Sequence, residues 1–329
     1  MKVTVLAGGV GGARFLLGMR AAATGDEVRA IVNVGDDMWL AGLRITPDLD
    51  SILYALAGVN DTERGWGRVG ESERVSAELA AWSVGWPWFT LGDLDLGTHI
   101  ARTSWLREGL PLSTVVERLS GRWPLGVRLL PASDDKVETQ VIVSDPDAAG
   151  GEERSMHFQE WWTRYRAELP ALRFELPGVE DAAPAPGVLD AIADADLIVI
   201  APSNPVVSIG TILAIPGIRS ALTSARAPVV GVSPIIGGRV VRGMADACLT
   251  AIGVQTTAGA VARHYGARRE VARDGGGLLD GWLVDDADAG VADELRGAGI
   301  ETRALPLLMR DDSTRTAIAA AAIELGSAL

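Results

Sequence analysis

The chain has 329 residues, 48% hydrophobic and 22% charged, a globular composition with room for one large α/β domain with an insertion or for two modest domains. Its formal net charge of −13 argues against a nucleic-acid partner, because phosphate backbones are held by clustered Lys and Arg. A single cysteine, Cys248, excludes an internal disulfide and a thiolate metal cluster, and no apolar run is long enough for a bilayer, so a cytoplasmic protein is expected.

Only Met1 and Lys2 precede the first expected strand, which leaves no room for a leader peptide. Val3 to Ala7 is an apolar run that breaks into Gly8-Gly9-Val10-Gly11-Gly12, and Phe15, Leu16 and Met19 follow at helical spacing. Strand, glycine turn and helix in that order open a doubly wound sheet. Val28 to Val34 predicts a second strand ending at Gly35-Asp36-Asp37, and Leu197 to Ala201 another ending at Pro202-Ser203-Asn204-Pro205. Pro228 to Val232 repeats the design before Ser233-Pro234-Ile235-Ile236-Gly237-Gly238, and later strands are expected at Trp282 to Val284 and Thr302 to Leu305. The fold expected is α/β, Rossmann-like and doubly wound, with a mostly parallel sheet. Residues 1–60 and 186–329 form its nucleotide- and metal-binding core. Residues 61–185, with eight of the ten tryptophans, read as a largely helical insertion or cap. In the last stretch, Asp274-Gly275-Gly276-Gly277 and Asp311-Asp312-Ser313 read as loop and cap, and Thr314 to Leu329 as a terminal packing helix.

Ligands of open parallel sheets bind at the carboxyl ends of the strands, so the loops at 8, 35, 203 and 233 are expected to line one crevice. Successive glycines let backbone amides approach phosphate oxygens at a helix start. Yet the dinucleotide fingerprint would need a glycine where Arg14 stands, and the common NTPase loop would need a lysine. The turn is therefore a phosphate loop of neither standard kind, or merely a tight strand–helix turn. Asp36, Asp37, Asp48 and Asp50 put four carboxylates within fifteen residues, hard oxygen ligands suited to Mg²⁺. Asp36 also stands where a dinucleotide enzyme grips a ribose, and Asp50 could simply cap a helix. Asp93, Asp95, Thr98, His99 and Arg102 form a second polar cluster, of which Asp95, Thr98, His99 and Arg102 share one helical face. His157, Glu160, Trp161 and Arg164 share another, which reads as a ring-stacking face or, with some preference, as a packing interface. Nothing supports a serine triad, a Cys–His pair or zinc, since the three histidines are far apart.

Several of these blocks resemble the 2-phospho-L-lactate transferase family of coenzyme F420 biosynthesis. They are Leu6-Ala7-Gly8-Gly9-Val10-Gly11-Gly12-Ala13-Arg14, Asn33-Val34-Gly35-Asp36-Asp37, Pro47-Asp48-Leu49-Asp50, Gly92-Asp93-Leu94-Asp95-Leu96 with Thr98-His99, Ala201-Pro202-Ser203-Asn204-Pro205 and Ser233 to Gly238. They come in the family's order from residue 3 to about 245, and Gly11-Gly12-Ala13-Arg14 with the 157–166 segment resembles its actinobacterial branch, the phosphoenolpyruvate transferases. The resemblance implies a Mg²⁺-dependent transferase joining an enolpyruvyl-diphospho-guanosine, or its lactyl counterpart, to the ribityl tail of the deazaflavin Fo, with release of GMP. It implies a donor handed over by a guanylyltransferase, and a homodimer. It places the metal, and the catalysis, on Asp36 and Asp48, with Asp37 and Asp50 as outer or alternative ligands. The guanosine diphosphate falls to Gly8, Gly9, Gly11, Gly12, Asn33, Ser203, Asn204, Pro205, Ser233, Pro234 and Ile235, and Fo to the side of Asp93, Asp95, Thr98, His99 and Arg102. Two other readings remain. An NAD(P)-dependent dehydrogenase would show tight dinucleotide binding. A nucleotide sensor would bind GDP or GMP without Mg²⁺ and without turnover.

Overall fold

A computed structural model of the chain describes residues 1–145, 152–268 and 276–329. In chain order the first part carries β1 (Lys2–Ala7), α1 (Gly9–Ala22), β2 (Glu27–Val32), a hairpin of β3 (Met38–Leu40) and β4 (Leu43–Ile45), and α2 (Pro47–Ala57). The middle part adds α3 (Arg74–Ala81), α4 (Asp93–Arg107), α5 (Leu112–Ser120), β5 (Arg128–Pro131), β6 (Gln140–Ser144), β7 (Glu153–His157) and β8 (Ala171–Glu175). The last part begins with α6 (Val188–Ala193), β9 (Leu197–Ile200), α7 (Ile209–Ala214), α8 (Ile218–Ser224), β10 (Val229–Val232) and a hairpin of β11 (Ile235–Ile236) and β12 (Arg239–Val240). It closes with α9 (Ala245–Ala251), α10 (Ala258–Tyr265), β13 (Gly281–Val284), α11 (Ala292–Gly297), β14 (Glu301–Ala304) and α12 (Asp312–Ser327).

Seven strands form the central sheet in the order β14-β13-β10-β9-β1-β2-β5, and every pairing is parallel. The strand sequences show why. From Val3 to Ala7, and along all of β9, β10 and β13, every residue is buried, as a sheet covered on both faces requires. Where the core would overfill, a small residue yields: a Cβ on Gly231 would lie 2.4 Å from the Trp282 ring. The α12 helix starts with a capping box in which Asp311 accepts from the Thr314 amide at 2.8 Å. It then crosses α1 so closely that a Cβ on Gly18 would sit 2.3 Å from the Arg315 carbonyl oxygen. From Asp274-Gly275-Gly276-Gly277, the first two residues lie outside the described residues.

The middle part, expected to be largely helical, carries strands as well as helices. Among the described residues it holds three α-helices, but β5 returns to pair with β2 at the edge of the central sheet, and β7-β6-β8 form a separate antiparallel sheet. That small sheet packs Val141, Val143, Met156, Phe158 and Trp161 against Val207, Met244 and Cys248 in a second apolar cluster. No helix among the described residues is long and apolar enough to cross a membrane.

Candidate functional site

The strand order reverses between β1 and β9, since the chain moves from β1 to β2 on one side and resumes at β9 on the other. Ligands of doubly wound sheets bind at such a switch point. A cleft of about 1400 Å³ opens there, lined by Gly8, Gly9, Asp36, Asp48, Ser203, Asn204, Ser233 and Pro234 among others. The loops at 8, 35, 203 and 233 thus converge. Of the residues singled out in the sequence, Gly11, Asp50, Asp95 and His99 also line it, whereas Gly12, Asn33, Pro205, Ile235 and Arg102 stand behind the lining.

The glycine turn is packed as tightly as it is open. Ser203 Oγ donates to the Gly8 carbonyl at 2.7 Å and accepts from the Gly8 amide at 2.9 Å. A Cβ on Gly8 would lie 2.6 Å from Asp48 Oδ2, and one on Gly11 would lie 2.6 Å from the Pro202 carbonyl oxygen. Glycine is needed at these positions for close approach as well as for any ligand.

Asp36 follows β2, and Asp48 sits in the first turn of α2, where Pro47 opens the helix. Asn33 joins them. Its Nδ2 donates to Asp36 Oδ1 at 3.1 Å and to Asp48 Oδ2 at 2.9 Å, while its Oδ1 accepts from the Gly35 amide at 2.9 Å. The other Asp36 oxygen, Oδ2, accepts from Gln159 Nε2 at 3.1 Å. Burial, and next the Asp48 charge, hold the Asp36 carboxyl well above its ordinary range. Burial also pushes Asp48 up to about 6, against the Asn33 bond and the Gly9 amide. With only neutral donors around them, the two buried carboxyls resist ionising together, and a cation between them would relieve that repulsion. That donor set fits a hard divalent cation, with substrate oxygens and water completing its shell.

Asp37 and Asp50 differ from this pair because arginines already hold them. Asp37 is fully buried with Arg44 Nη2 at 3.3 Å, and Arg44 Nη1 also reaches Glu138 at 2.7 Å. Asp50 forms a short ion pair with Arg102, which is 1% exposed. Arg102 further donates to the Arg44 carbonyl at 3.2 Å and to His99 Nδ1 at 2.8 Å. An arginine always donates, so His99 Nδ1 accepts here and Nε2 carries the ring proton, 3.2 Å from Asp95 Oδ1. Tyr54 donates to that same Asp95 oxygen at 2.6 Å. Asp50, Asp95 and His99 bring ligand-type atoms within 4.8 Å of one another and could hold a metal ion. The Arg102 cation on Asp50 weighs against that. Asp93 is exposed and accepts from Ser72 N and Oγ, each at 2.9 Å, and Thr98 is buried in α4.

The 157–166 segment is not one helix. His157 ends β7, paired with Gln140, and a π-helical turn runs over Glu160–Arg164. The strand register splits the expected face. Trp161 is fully buried, Glu160 and Arg164 pair at 2.9 Å, and Trp162 lines the cleft. Sequence reasoning missed Gln159, Arg44 and Arg315 and gave Arg14 no place at the site, yet Gln159, Arg14 and Arg315 line the cleft. A signal for Gln159 existed only in its place beside His157.

With this geometry in hand, known proteins can be compared. The family model described as 2-phospho-L-lactate transferase CofD matches residues 3–304. The chain is 54% identical over 324 residues to a protein of Nocardia farcinica named phosphoenolpyruvate transferase, covering 98% of this chain and 94% of that one. It is 54% identical to one of the same name from Streptomyces griseus and 51% identical to one from Mycobacterium avium, each covering 99% of this chain and 98% of the other. Among solved structures, a Bacillus halodurans protein superposes with a TM-score of 0.60 at 21% identity, covering 98% of this chain and 99% of that one. A second crystal structure from that organism, described as a UPF0052 family member, gives 0.59 at 20%. The glycine turn, the Asn33-bridged aspartates and a family match over nearly the whole length lead to one conclusion: the chain belongs to the 2-phospho-L-lactate transferase CofD family.

Proposed function

We propose that the chain transfers the phosphoenolpyruvyl group of enolpyruvyl-diphospho-5'-guanosine to the terminal ribityl hydroxyl of the deazaflavin Fo, giving dehydro-F420-0 and GMP. The observation that carries this reading is the buried Asp36–Asp48 pair beside the glycine turn, in a chain 54% identical to proteins named phosphoenolpyruvate transferase. Asp36 and Asp48 would hold a Mg²⁺, which when bound offsets the charge that develops on the phosphates during transfer. Asp37 and Asp50 stand behind them as arginine-held charges that fix the loop and the helix.

The chain's own residues supply positioning. Gly8, Gly9 and Gly11, with Ser203, Asn204, Ser233 and Pro234, face the guanosine diphosphate; Gly12, Asn33, Pro205 and Ile235 support them. Fo lies toward the 61–185 region, where Trp88, Phe89, Asp95 and His99 form the wall; Asp93, Thr98 and Arg102 hold that wall from behind. The ribityl oxygen attacks the phosphorus bearing the three-carbon unit, the bond from that phosphorus to the GMP oxygen breaks, and one of the two aspartates takes the hydroxyl proton. The donor comes from a guanylyltransferase, and the working form is a cytoplasmic homodimer.

The test is product mass after incubation with Fo, GTP, Mg²⁺ and a guanylyltransferase, with phosphoenolpyruvate and 2-phospho-L-lactate in separate tubes. Mg²⁺-dependent dehydro-F420-0 with GMP in the first tube is the expected result. Product only in the second keeps the mechanism and replaces the donor by the lactyl form. No product in either, with donor present, refutes the transferase reading.

A further inference from the structure

We propose that Gln159 is a positioning residue for the cation site: its side-chain amide fixes the Asp36 carboxylate, so the middle part of the chain completes that site instead of only covering it. This rests on the reading that Asp36 and Asp48 hold a divalent cation.

Three observations carry it. Gln159 is 6% exposed, lines the cleft and donates to Asp36 Oδ2 at 3.1 Å, leaving Asn33 to hold Oδ1. Each Asp36 oxygen thus has one neutral donor, which fixes the carboxylate plane without cancelling its charge. Second, the Gln159 amide has a defined orientation. As a metal ligand Asp36 is ionised and can only accept, so the NH₂ group is the one turned to it, while Thr163 Oγ1 donates to Gln159 Oε1 at 3.4 Å from one helical turn away. Third, the backbone carrying Gln159 is tied to the same loop a second time. His157 Nε2 lies 3.2 Å from the Asp37 carbonyl oxygen, and His157 Nδ1 accepts from the Gln159 amide at 3.1 Å. A carbonyl can only accept, so the imidazole carries its proton on Nε2. The hydrogen bonds close a ring: Asp37 carbonyl, His157, Gln159 backbone, Gln159 side chain, Asp36. On either side Phe158 and Trp161 are anchored in the second apolar cluster.

Groups that orient metal ligands typically contribute 10–100-fold to metal affinity. The test uses the full chain freed of metal, with Mn²⁺ as probe, read by the electron paramagnetic resonance signal of the free aquo ion, and with Mg²⁺ as competitor. Wild type binds and Asp36→Asn does not. Gln159→Met, nearly isosteric and without a donor, is expected to raise the Mn²⁺ dissociation constant about 10–100-fold, while its thermal midpoint in chelator stays at the wild-type value. If Gln159→Met binds Mn²⁺ within twofold of wild type while Asp36→Asn fails, the Gln159 assignment is overturned and the metal reading survives. If Asp36→Asn and Asp48→Asn both bind like wild type, the metal reading itself falls, and the Gln159 role with it. Should Gln159→Met not fold, Gln159→Asn decides: it keeps the amide but is one methylene too short to reach Asp36, so a Mn²⁺ affinity weakened about tenfold or more supports the proposal and one within twofold of wild type overturns it.

Discussion

Replacing Arg102 by Met tests how the second polar cluster works. Arg102 is 1% exposed and Asp50 5% exposed, so the substitution strands a carboxylate in the interior. It also removes the donor to His99 Nδ1 and to the Arg44 carbonyl. Breaking a buried pair from one side costs about 3–5 kcal/mol, because the surviving carboxylate loses its countercharge and keeps only the Thr46 hydroxyl as a donor. With an unfolding entropy of about 2.1 cal/mol/K per residue over 329 residues, that is a fall in midpoint of roughly 4–7 °C. The double variant Asp50→Asn with Arg102→Met removes both charges, and Thr46 Oγ1, 3.2 Å from Asp50 Oδ2, can still donate to the amide oxygen. Its expected cost is below about 2 kcal/mol, so the two substitutions are strongly non-additive. Reversible urea unfolding of wild type, Arg102→Met, Asp50→Asn and the double variant in chelator, followed by tryptophan fluorescence, measures the cycle. An Arg102→Met variant within about 1 kcal/mol of wild type would refute the claim that this cluster is a charge-paired support.

Asp48→Asn is expected to abolish turnover at saturating Mg²⁺ with the fold intact; unchanged activity would remove Asp48 from the metal site. The same variant has a signed stability prediction. Burial raises the Asp48 carboxyl to about 6, so metal-free wild type loses stability as pH climbs from the ordinary carboxylate range through that value. At pH 8 in chelator, Asp48→Asn should melt no lower than wild type, and a clear drop would contradict the buried-charge account. Gly8→Ala forces a Cβ to within 2.6 Å of Asp48 Oδ2 and 2.7 Å of Ser208 Cβ, so Mn²⁺ binding should weaken at least tenfold; unaltered binding would mean that the turn can relax. Cys248 is fully buried and its thiol is pushed up to about 12 by burial. Both burial and that shift keep the thiolate scarce and out of reach, so at pH 8 a disulfide reagent should label the native protein at least about a hundredfold more slowly than the unfolded one.

The central sheet was legible because a doubly covered parallel strand is an unbroken apolar run. Val3 to Ala7 and Leu197 to Ala201 are short, rich in β-branched residues and bounded by Gly and Pro, which marks them as strands, and the polar loops after them fix where a ligand sits. The short strands β5 to β8 were not legible. β7 and β8 mix charged and apolar residues, as in Glu153 to His157, β6 has an apolar run of only three residues, Val141 to Val143, and their pairing is set by long-range contacts. Likewise, four aspartates in fifteen residues announce a site but not its division of labour. Which pair keeps its charge depends on Arg44, on Arg102 some fifty residues along and on Gln159 more than a hundred residues along. Spacing arguments reach one helix or one turn and cannot see such partners.

The bond between Gly8 and Ser203 has a consequence for biosynthesis. The glycine turn is made in the first dozen residues, yet the serine that holds it from both sides is 195 positions later, and β1 pairs on that side only with β9. At 5–20 residues per second, the ribosome takes about 10–40 s to bring the two together. During that interval the amino-terminal strand has one open edge of unpaired amides and carbonyls between largely apolar faces, which makes the half-synthesised chain a natural client for a holding chaperone.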